Sequence, residues 1–331
     1  MTAFENDADY YGTKMLSVSS VRLFWQNPAR ALADWKGEHP WFENDSALLY
    51  GRYVHAAMQD YMTNHRSHYQ DTVIGEMKRL SDDPDDPHKI YKKNGEFYSE
   101  YATMDNAIDI LQNCKIIKYF HDHLNDDRFD PVVEVGLIGT IHADGEKDVQ
   151  IKGKPDLLVI DKEKKRTYAF DYKTSRPYDP SGMGYAVDIN TLQRGWINLA
   201  WSTQKAFPWQ AGVYRELIRQ SKAYYADYPI DYRYLVVSKE KVPRLDVWTI
   251  SDQAMDQGFA AFKKAAFKAD KYIRGEMQPE LIKDDSNFFN LATQSDGNQL
   301  SVDQDVVEDD NNESGFDYIM NIEHNGHGTK I

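Results

Sequence analysis

The fold of this chain is decided by two short apolar runs that lie close together in the sequence, Gly153-Lys-Pro-Asp156-Leu-Leu-Val-Ile-Asp161 and Thr167-Tyr-Ala-Phe-Asp171-Tyr-Lys173-Thr. Both runs are rich in β-branched and aromatic residues, which is typical of β-strands. The charged residues 161–166 between them predict a turn. The two runs therefore form a predicted β-hairpin within a sheet.

The register of this hairpin places two acidic residues opposite each other. A turn centred on residues 163–164 pairs Asp161 with Arg166 and, further along the strands, Asp156 with Asp171. Directly paired residues have Cβ atoms roughly 4.5–5.5 Å apart, and two like charges at that distance destabilise a sheet. A divalent cation between the two carboxylates would offset the repulsion.

Lys173 lies on the same face of its strand as Asp171, because side chains alternate along a strand with a period of two. Two carboxylates and an ammonium group then converge, which suits Mg²⁺ or Mn²⁺ with water and phosphate oxygens as further ligands. Such a site lowers the pKa of a bound water, and the lysine orients that water or stabilises charge on the phosphate. The residues predict metal-assisted phosphodiester hydrolysis, and a surface hairpin whose aspartates meet by chance is the alternative.

Five elements in a fixed order resemble the signature of PD-(D/E)xK nucleases, in particular of the RecB type. In chain order they are Gly51-Arg-Tyr-Val-His55, Glu134 in the predicted strand 131–138, Pro155-Asp156, Asp171-Tyr-Lys173 and Gln210-Ala-Gly-Val-Tyr214. This order is more specific than any one element. The similarity covers about residues 15–275 and is to the phage and prophage exodeoxyribonuclease VIII-like (RecE-like) proteins.

The resemblance implies a role for each of these residues. The implied catalytic residues are Asp156, Asp171, Lys173 and Glu134. The implied metal ligands are Asp156, Asp171, Glu134, His55 and the backbone carbonyl of Tyr172. The implied supporting or DNA-binding residues are Gln210, Tyr214, Arg176 and Thr174. Without the resemblance, a core histidine, an exposed strand glutamate and an ordinary helix face with residues four apart remain the alternatives.

The resemblance also implies a function. The implied protein is an exonuclease that digests linear double-stranded DNA from 5′ to 3′. It depends on Mg²⁺, for which Mn²⁺ can substitute. The remaining 3′ single strands would serve a single-strand annealing protein in recombination, and homo-oligomers are common in that group. The alternatives are an endonuclease, a Cas4-like end-trimming nuclease and a non-catalytic recombination scaffold or DNA mimic. The complete acidic–acidic–lysine set favours an enzyme.

Composition limits the other classes of protein. The chain has 331 residues, of which 41% are hydrophobic and 13% aromatic, enough for a large core. No apolar run approaches a membrane span and no secretory signal is evident, so we expect a cytoplasmic protein, in the bacterial host if phage-encoded. The single cysteine, Cys114, cannot provide the four ligands of the iron–sulfur cluster present in several RecB-type relatives, and we expect it in the core.

The net charge of −14 argues against a partner with a negative backbone, but the excess is unevenly spread. Residues 281–331 hold eleven acidic and two basic side chains, whereas the other 280 residues hold 42 and 37. Because the body remains slightly acidic, DNA binding requires a local positive lining rather than a global field. The sequence does not locate that lining.

The resemblance implies one α/β (α+β) domain over residues 15–280, with a restriction-endonuclease-like core of a central mixed β-sheet flanked by helices. Residues 15–125 form its helical N-terminal part and residues 130–275 its sheet core. Residues 1–14 are predicted to be a flexible leader, and residues 285–331 an acidic, disordered tail. The predicted helices cover residues 46–70, 104–124, 189–222 and 251–274, after a first helix capped by Ser19 or Ser20.

Overall fold

The computed structural model of the chain describes residues 7–38, 46–64, 68–82, 96–97, 102–175, 183–187, 194–198 and 207–282. The acidic tail expected at residues 285–331 lies outside these residues, as does Arg176. Within the described part of the chain, no helix combines the length and the apolar character that crossing a membrane requires.

The N-terminal part is helical, as predicted. Its helices are α1 (Asp7–Gly12), α2 (Val18–Gln26), α3 (Pro28–Lys36), α4 (Ser46–Thr63), α5 (His68–Asp82), α6 (Met104–Gln112) and α7 (Lys115–Asp122). Ser17, and not Ser19 or Ser20, caps α2, because its side chain accepts a hydrogen bond from the backbone N–H of Ser20. The side chain of Ser20 in turn accepts from the N–H of Ser17, which completes a capping box.

The second half of the described chain contains the strands and two long helices. The strands are β1 (Phe129–Val133), β2 (Leu137–Ile141), β3 (Val149–Gly153), β4 (Leu157–Asp161), β5 (Arg166–Ser175), β6 (Met183–Val187), β7 (Arg194–Asn198), β8 (Ile230–Ser238) and β9 (Leu245–Ile250). The helices are α8 (Phe207–Gln220) and α9 (Asp252–Ile273). Ser251 caps α9, since its side chain accepts a hydrogen bond from the backbone N–H of Ala254.

Five of the described strands form the central sheet, in the order β1-β4-β5-β8-β9. The neighbours β5 and β8 are parallel, whereas the other pairs are antiparallel. The parallel pair requires a crossover, which contains β6, β7 and α8. The strands β2 and β3 form a separate hairpin, and so do β6 and β7.

Helices cover both faces of the sheet. The face that carries Leu158 and Ala169 packs against α2, α3, α8 and α9. The opposite face, which carries Leu157 and Phe170, packs against α4, α5, α6 and α7. A mixed sheet between two helical layers confirms the predicted fold class. It also explains why every residue of β4 is buried.

Several predicted elements have different bounds in the structure. The helix expected at residues 46–70 is divided into α4 and α5, and Asn64 after α4 has a positive φ of 54°. The helix expected at residues 104–124 is divided into α6 and α7, and Cys114 lies at the break, half-buried against the core. Residues 194–198, predicted to be helical, form β7.

Residues 7–12, expected within a flexible leader, instead form α1. The side chain of Tyr10 in this helix is buried. The N–H of Lys152 on β3 donates to the carbonyl of Leu16, which joins the segment after α1 to the β2–β3 hairpin. This part of the N-terminus is therefore packed on the domain.

The strand predicted at residues 131–138 is interrupted at Glu134. This residue has a φ of +52°, so the chain turns out of the central sheet after β1 and enters the β2–β3 hairpin. The N–H of Glu134 donates a 3.0 Å hydrogen bond to the carbonyl of Asp156, which fixes the turn beside β4. The prediction of a continuous strand was wrong because a pattern of apolar residues does not reveal a change of sheet.

Candidate active site

The predicted register of the hairpin is confirmed. Asp161 pairs with Arg166 and Leu157 with Phe170, so Asp156, directly before β4, faces Asp171 on β5. Oδ2 of Asp156 accepts a 2.7 Å hydrogen bond from the N–H of Tyr172. The two aspartates thus lie at the same end of the hairpin, as the sequence indicated.

Asp171 is completely buried on the face of the sheet that α8 covers. Its Oδ2 accepts a 2.6 Å hydrogen bond from Nε2 of Gln210 and a 3.3 Å hydrogen bond from the hydroxyl of Tyr232. Its Oδ1 contacts the ammonium group of Lys173. Both oxygens of this carboxylate therefore face donors, which is the condition for burying an acidic group.

Aromatic residues hold Lys173 and Gln210 in place. The ammonium group of Lys173 lies 5.7 Å from the ring centre of Tyr234 and 6.0 Å from that of Phe207. Nε2 of Gln210 also donates to the hydroxyl of Tyr214 at 3.1 Å, and the hydroxyl of Tyr234 lies 3.4 Å from its Oε1. The amide of Gln210 is thus oriented from both of its ends.

His55 reaches the site from α4, in the other helical layer. Its Nε2 lies 2.8 Å from the backbone oxygen of Tyr172, and its Nδ1 lies 3.5 Å from Oδ2 of Asp156. Burial alone would lower the pKa of His55, but the charge of Asp156, the hydrogen bond to Asp156 and the charge of Glu134 together outweigh burial and raise the pKa to about 9. Because both ring nitrogens face acceptors, the protonated imidazolium fits this position.

Glu134 contributes a third carboxylate. Its Oε2 lies 2.6 Å from the ammonium group of Lys154, and both side chains are largely buried. Burial raises the pKa of Glu134 to about 7, and the neighbouring Asp156 adds to the shift. A cation beside such a buried carboxylate favours its ionised form, as Lys154 does here.

The pKa values of the two aspartates are shifted in opposite directions. Burial and the charge of Asp156 raise the pKa of Asp171 to about 6. Burial alone would also raise the pKa of Asp156, but His55, Lys173 and the N–H of Tyr172 together lower it. Asp156 is therefore the carboxylate that stays ionised most readily.

The arrangement fits a divalent metal ion. Ligand atoms of His55, Glu134 and Asp156 lie within 4.8 Å of one another, and this group combines imidazole with carboxylate oxygens. It does not include Asp171, whose carboxylate turns toward Lys173 and Gln210.

Three cationic side chains balance the acidic ones in this site. The pairs are His55 with Asp156, Lys154 with Glu134, and Lys173 with Asp171.

The structure brings most of the predicted site residues together. Gln210 and Tyr214 lie against Asp171, whereas the carbonyl of Tyr172 faces His55. Thr174 is half-buried two residues beyond Tyr172, and its Oγ1 lies 3.5 Å from the position that a Cβ on Gly51 would take. Its predicted role in binding DNA stays a prediction.

Among the described residues, sequence reasoning missed further members of the site, namely Lys154, Phe207, Tyr232 and Tyr234. A signal existed for the two tyrosines, since Tyr232 and Tyr234 are two residues apart in a run rich in aromatic and β-branched residues and would share one face of a strand. No local signal marked Lys154, because its partner lies beyond the β2–β3 hairpin.

The fold and the site define a nuclease domain of the PD-(D/E)xK type. More particularly, residues 17–283 match the family described as "PDDEXK-like domain of unknown function (DUF3799)", and the chain belongs to that family. Among solved structures, the fold is similar to a crystal structure from Eubacterium rectale described as "Putative exonuclease". The TM-score is 0.60 at 14% sequence identity, over 89% of this chain and 99% of that chain. No curated protein sequence matches this chain.

Proposed function

We propose that this protein is a metal-dependent exonuclease that hydrolyses linear double-stranded DNA. The observation that supports this proposal most strongly is the meeting of Asp156, Asp171 and Lys173 at one end of the β4–β5 hairpin. The proposed polarity is 5′ to 3′, which leaves 3′ single strands for an annealing partner. The polarity and the role in recombination come from the resemblance to exodeoxyribonuclease VIII-like proteins.

The metal, Mg²⁺ or Mn²⁺, would be held by Asp156, Glu134 and His55, together with Asp171 and the carbonyl of Tyr172. When bound, it would lower the pKa of a water molecule and polarise the phosphate. His55 must first lose a proton, since only neutral imidazole ligates a metal. Metal binding at neutral pH is therefore expected to release protons.

Lys173 is the proposed catalytic cation. The rings of Phe207 and Tyr234 and the carboxylate of Asp171 restrict its ammonium group to one position. From there it can donate hydrogen bonds to the attacking water or to a phosphate oxygen as negative charge develops. A preorganised donor of this kind stabilises the transition state without a cost of reorganisation.

The local charge supports a phosphodiester substrate although the whole chain carries −14. Lys154 and Lys173 keep two cationic groups within the site when His55 is neutral and ligates the metal. When the carboxylates ligate a divalent ion, their ion pairs with the lysines would weaken, and the ammonium groups could then bind a phosphate. The site, rather than the surface as a whole, then attracts the phosphate backbone.

Digestion of end-labelled DNA tests the proposal. Linear duplex labelled at either the 5′ or the 3′ end is incubated with Mg²⁺, with Ca²⁺ or with a chelator, and covalently closed circles serve as the control. We expect Mg²⁺-dependent release of the 5′ label from linear DNA alone. Closed circles that are cut as fast as linear DNA would show an endonuclease instead, and no cleavage in Mg²⁺ or Mn²⁺ would contradict the enzyme.

A further inference from the structure

The segment before α2 is fixed against the β2–β3 hairpin by a buried lysine. The ammonium group of Lys152 donates hydrogen bonds to the carbonyls of Tyr10 and Thr13, at 2.5 and 2.8 Å. It also lies 4.5 Å from the ring centre of Tyr10. Because Lys152 is only 8% exposed, these carbonyls replace the water that its charge would otherwise bind.

Two adjacent tyrosines in this segment have opposite environments. Tyr10 is 8% exposed and belongs to the core, whereas Tyr11 is 72% exposed. Their rings meet edge to face, with centres 5.1 Å apart and an angle of 89° between the planes. The ring of Tyr10 thus supports the ring of Tyr11. Exposing the apolar ring of Tyr11 to water is unfavourable, and such an exposed aromatic side chain is informative about binding.

The exposed ring lies beside the metal-binding group. The ammonium group of Lys154 is 5.8 Å from the ring centre of Tyr11 and 2.6 Å from Oε2 of Glu134. A single lysine side chain thus bridges the ring and a proposed metal ligand. Along one DNA strand, neighbouring nucleotides are about 3.4 Å apart along the helix axis, so the ring is within reach of the nucleotides next to a phosphate in the site.

We propose that Tyr11 is a stacking surface for a nucleobase of the DNA strand that is being cut. This inference depends on the proposed function, since it assigns the DNA contact of the same site. Every base has a π-face, so stacking binds DNA without a preference for sequence, which suits an enzyme that degrades a strand progressively. Stacking on Tyr11 would hold a base at a fixed distance from Lys154 and the metal group.

The test combines Tyr11 variants with abasic nucleotides. An abasic nucleotide keeps the phosphate and removes the base together with its base pair, so comparison with Tyr11→Ala isolates the part of the effect that is due to stacking on the ring. Binding of linear duplexes with an abasic nucleotide at one of the first four 5′ positions is measured by fluorescence anisotropy in Ca²⁺, for the wild type, Tyr11→Ala and Tyr11→Phe. Tyr224→Ala is a matched control, because Tyr224 is 55% exposed and meets Tyr225 edge to face at 5.2 Å and 89°.

For the wild type, we expect one abasic position to weaken binding about ten-fold, as is typical for the loss of one base–aromatic stack. Tyr11→Ala should bind intact duplex about ten-fold more weakly and be insensitive to that same position. Tyr11→Phe and Tyr224→Ala should behave as the wild type, since the hydroxyl of Tyr224 bonds Asp130 at the far end of β1 from Glu134.

Two outcomes would overturn the inference. In the first, each abasic position weakens binding by the same factor in Tyr11→Ala as in the wild type, so that the two losses of affinity are additive. In the second, Tyr224→Ala weakens binding as much as Tyr11→Ala. A failure of the proposed function gives a different result, since the wild type would then neither bind a linear duplex in Ca²⁺ nor cut it in Mg²⁺. Melting temperatures of the variants check that α1 stays folded.

Discussion

Gln210 on α8 donates a 2.6 Å hydrogen bond from its Nε2 to Oδ2 of Asp171 on β5. The same amide is held by the hydroxyls of Tyr214 and Tyr234, so its direction is fixed before any substrate binds. Because Asp171 has no exposed surface, its carboxylate takes its orientation from these neighbours. The helix α8 within the crossover therefore decides which oxygen of Asp171 faces Lys173.

Replacing Gln210 should impair turnover more than DNA binding. Gln210→Ala leaves Oδ2 of Asp171 with the weaker donor Tyr232, so the carboxylate can rotate away from Lys173. We expect kcat to fall roughly ten- to hundred-fold, by analogy with small displacements of catalytic groups, with little change in KM. Gln220→Ala at the other end of the helix is the control, since Gln220 bonds the exposed backbone of Thr140. Equal kinetics for both variants would remove the orienting role of Gln210.

Asp171→Asn and Lys173→Ala should each abolish hydrolysis. The first removes the charge that Lys173 and a metal share, and the second removes the donor to the developing phosphate charge. We expect initial rates of nucleotide release in Mg²⁺ to fall at least about 10²-fold, as for the loss of one preorganised donor, while circular dichroism shows a folded domain. Lys147→Ala should keep full activity, because Lys147 forms an exposed ion pair with Glu276. Turnover that persists in either site variant would contradict the assigned role.

The stability of the metal-free protein should fall as the pH rises. Burial raises the pKa of Glu134 from 4.5 to about 7. Asp156 and Glu134 together overcome the effect of burial and raise the pKa of His55 from 6.5 to about 9. A group with a raised pKa binds its proton more tightly in the folded chain. Its stabilising contribution is complete below the ordinary pKa and is lost as the pH passes the folded-state value.

We therefore expect the melting temperature, measured with a chelator by differential scanning fluorimetry, to decline between about pH 5 and pH 9. Added Mn²⁺ should reduce the decline, because metal binds the deprotonated ligands. Glu134→Gln should flatten the lower half of the curve, since glutamine does not titrate. A metal-free melting temperature that increases from pH 6 to pH 9 would contradict the titration of Glu134 and His55.

Gly153→Ala should destabilise the domain. A Cβ at residue 153 would lie 2.6 Å from Cδ1 of Leu217 and 2.7 Å from Cε1 of Tyr214, and both of these side chains are buried. We expect a loss of about 1–3 kcal/mol in the free energy of unfolding by urea, the usual cost of overpacking a core. Gly75→Ala is the matched control. Nothing lies within 4 Å of a Cβ there, and Gly75 is inside α5, so alanine should stabilise by about 0.5–1 kcal/mol. The prediction is wrong if both variants have equal stability.

The sequence was most informative where the structure is local. The register of β4 and β5 follows from the length of one turn and the period of two along a strand, and a slip by one residue would reverse both faces. The relation of Gln210 to Tyr214 is local in the same sense, because residues four apart share a helical face. Turn length and alternation therefore brought Asp156 and Asp171 together, whereas Gln210 and Tyr214 were assigned to the site through the resemblance to PD-(D/E)xK nucleases.

The interruptions of helices and strands were less predictable. The break at Cys114 follows a run of apolar residues that continues at helical spacing, so periodicity alone gives one helix. The positive φ of Glu134 is stabilised by a hydrogen bond to the carbonyl of Asp156, a residue directly before β4 and distant in the sequence. Tertiary contacts of this kind override local preference, and they leave no pattern in neighbouring residues.

The amino-acid sequence by itself determined the acidic hairpin and its lysine, because alternation and turn length act over a few residues. The class of fold was predicted through the resemblance of the motifs to PD-(D/E)xK nucleases. Only the tertiary structure decided what surrounds Asp171 and Glu134. The parallel pairing of β5 with β8 places Tyr234 beside Asp171, and the turn at Glu134 places its carboxylate beside Lys154. These contacts join distant parts of the chain, and their partners are selected by the packing of the whole domain.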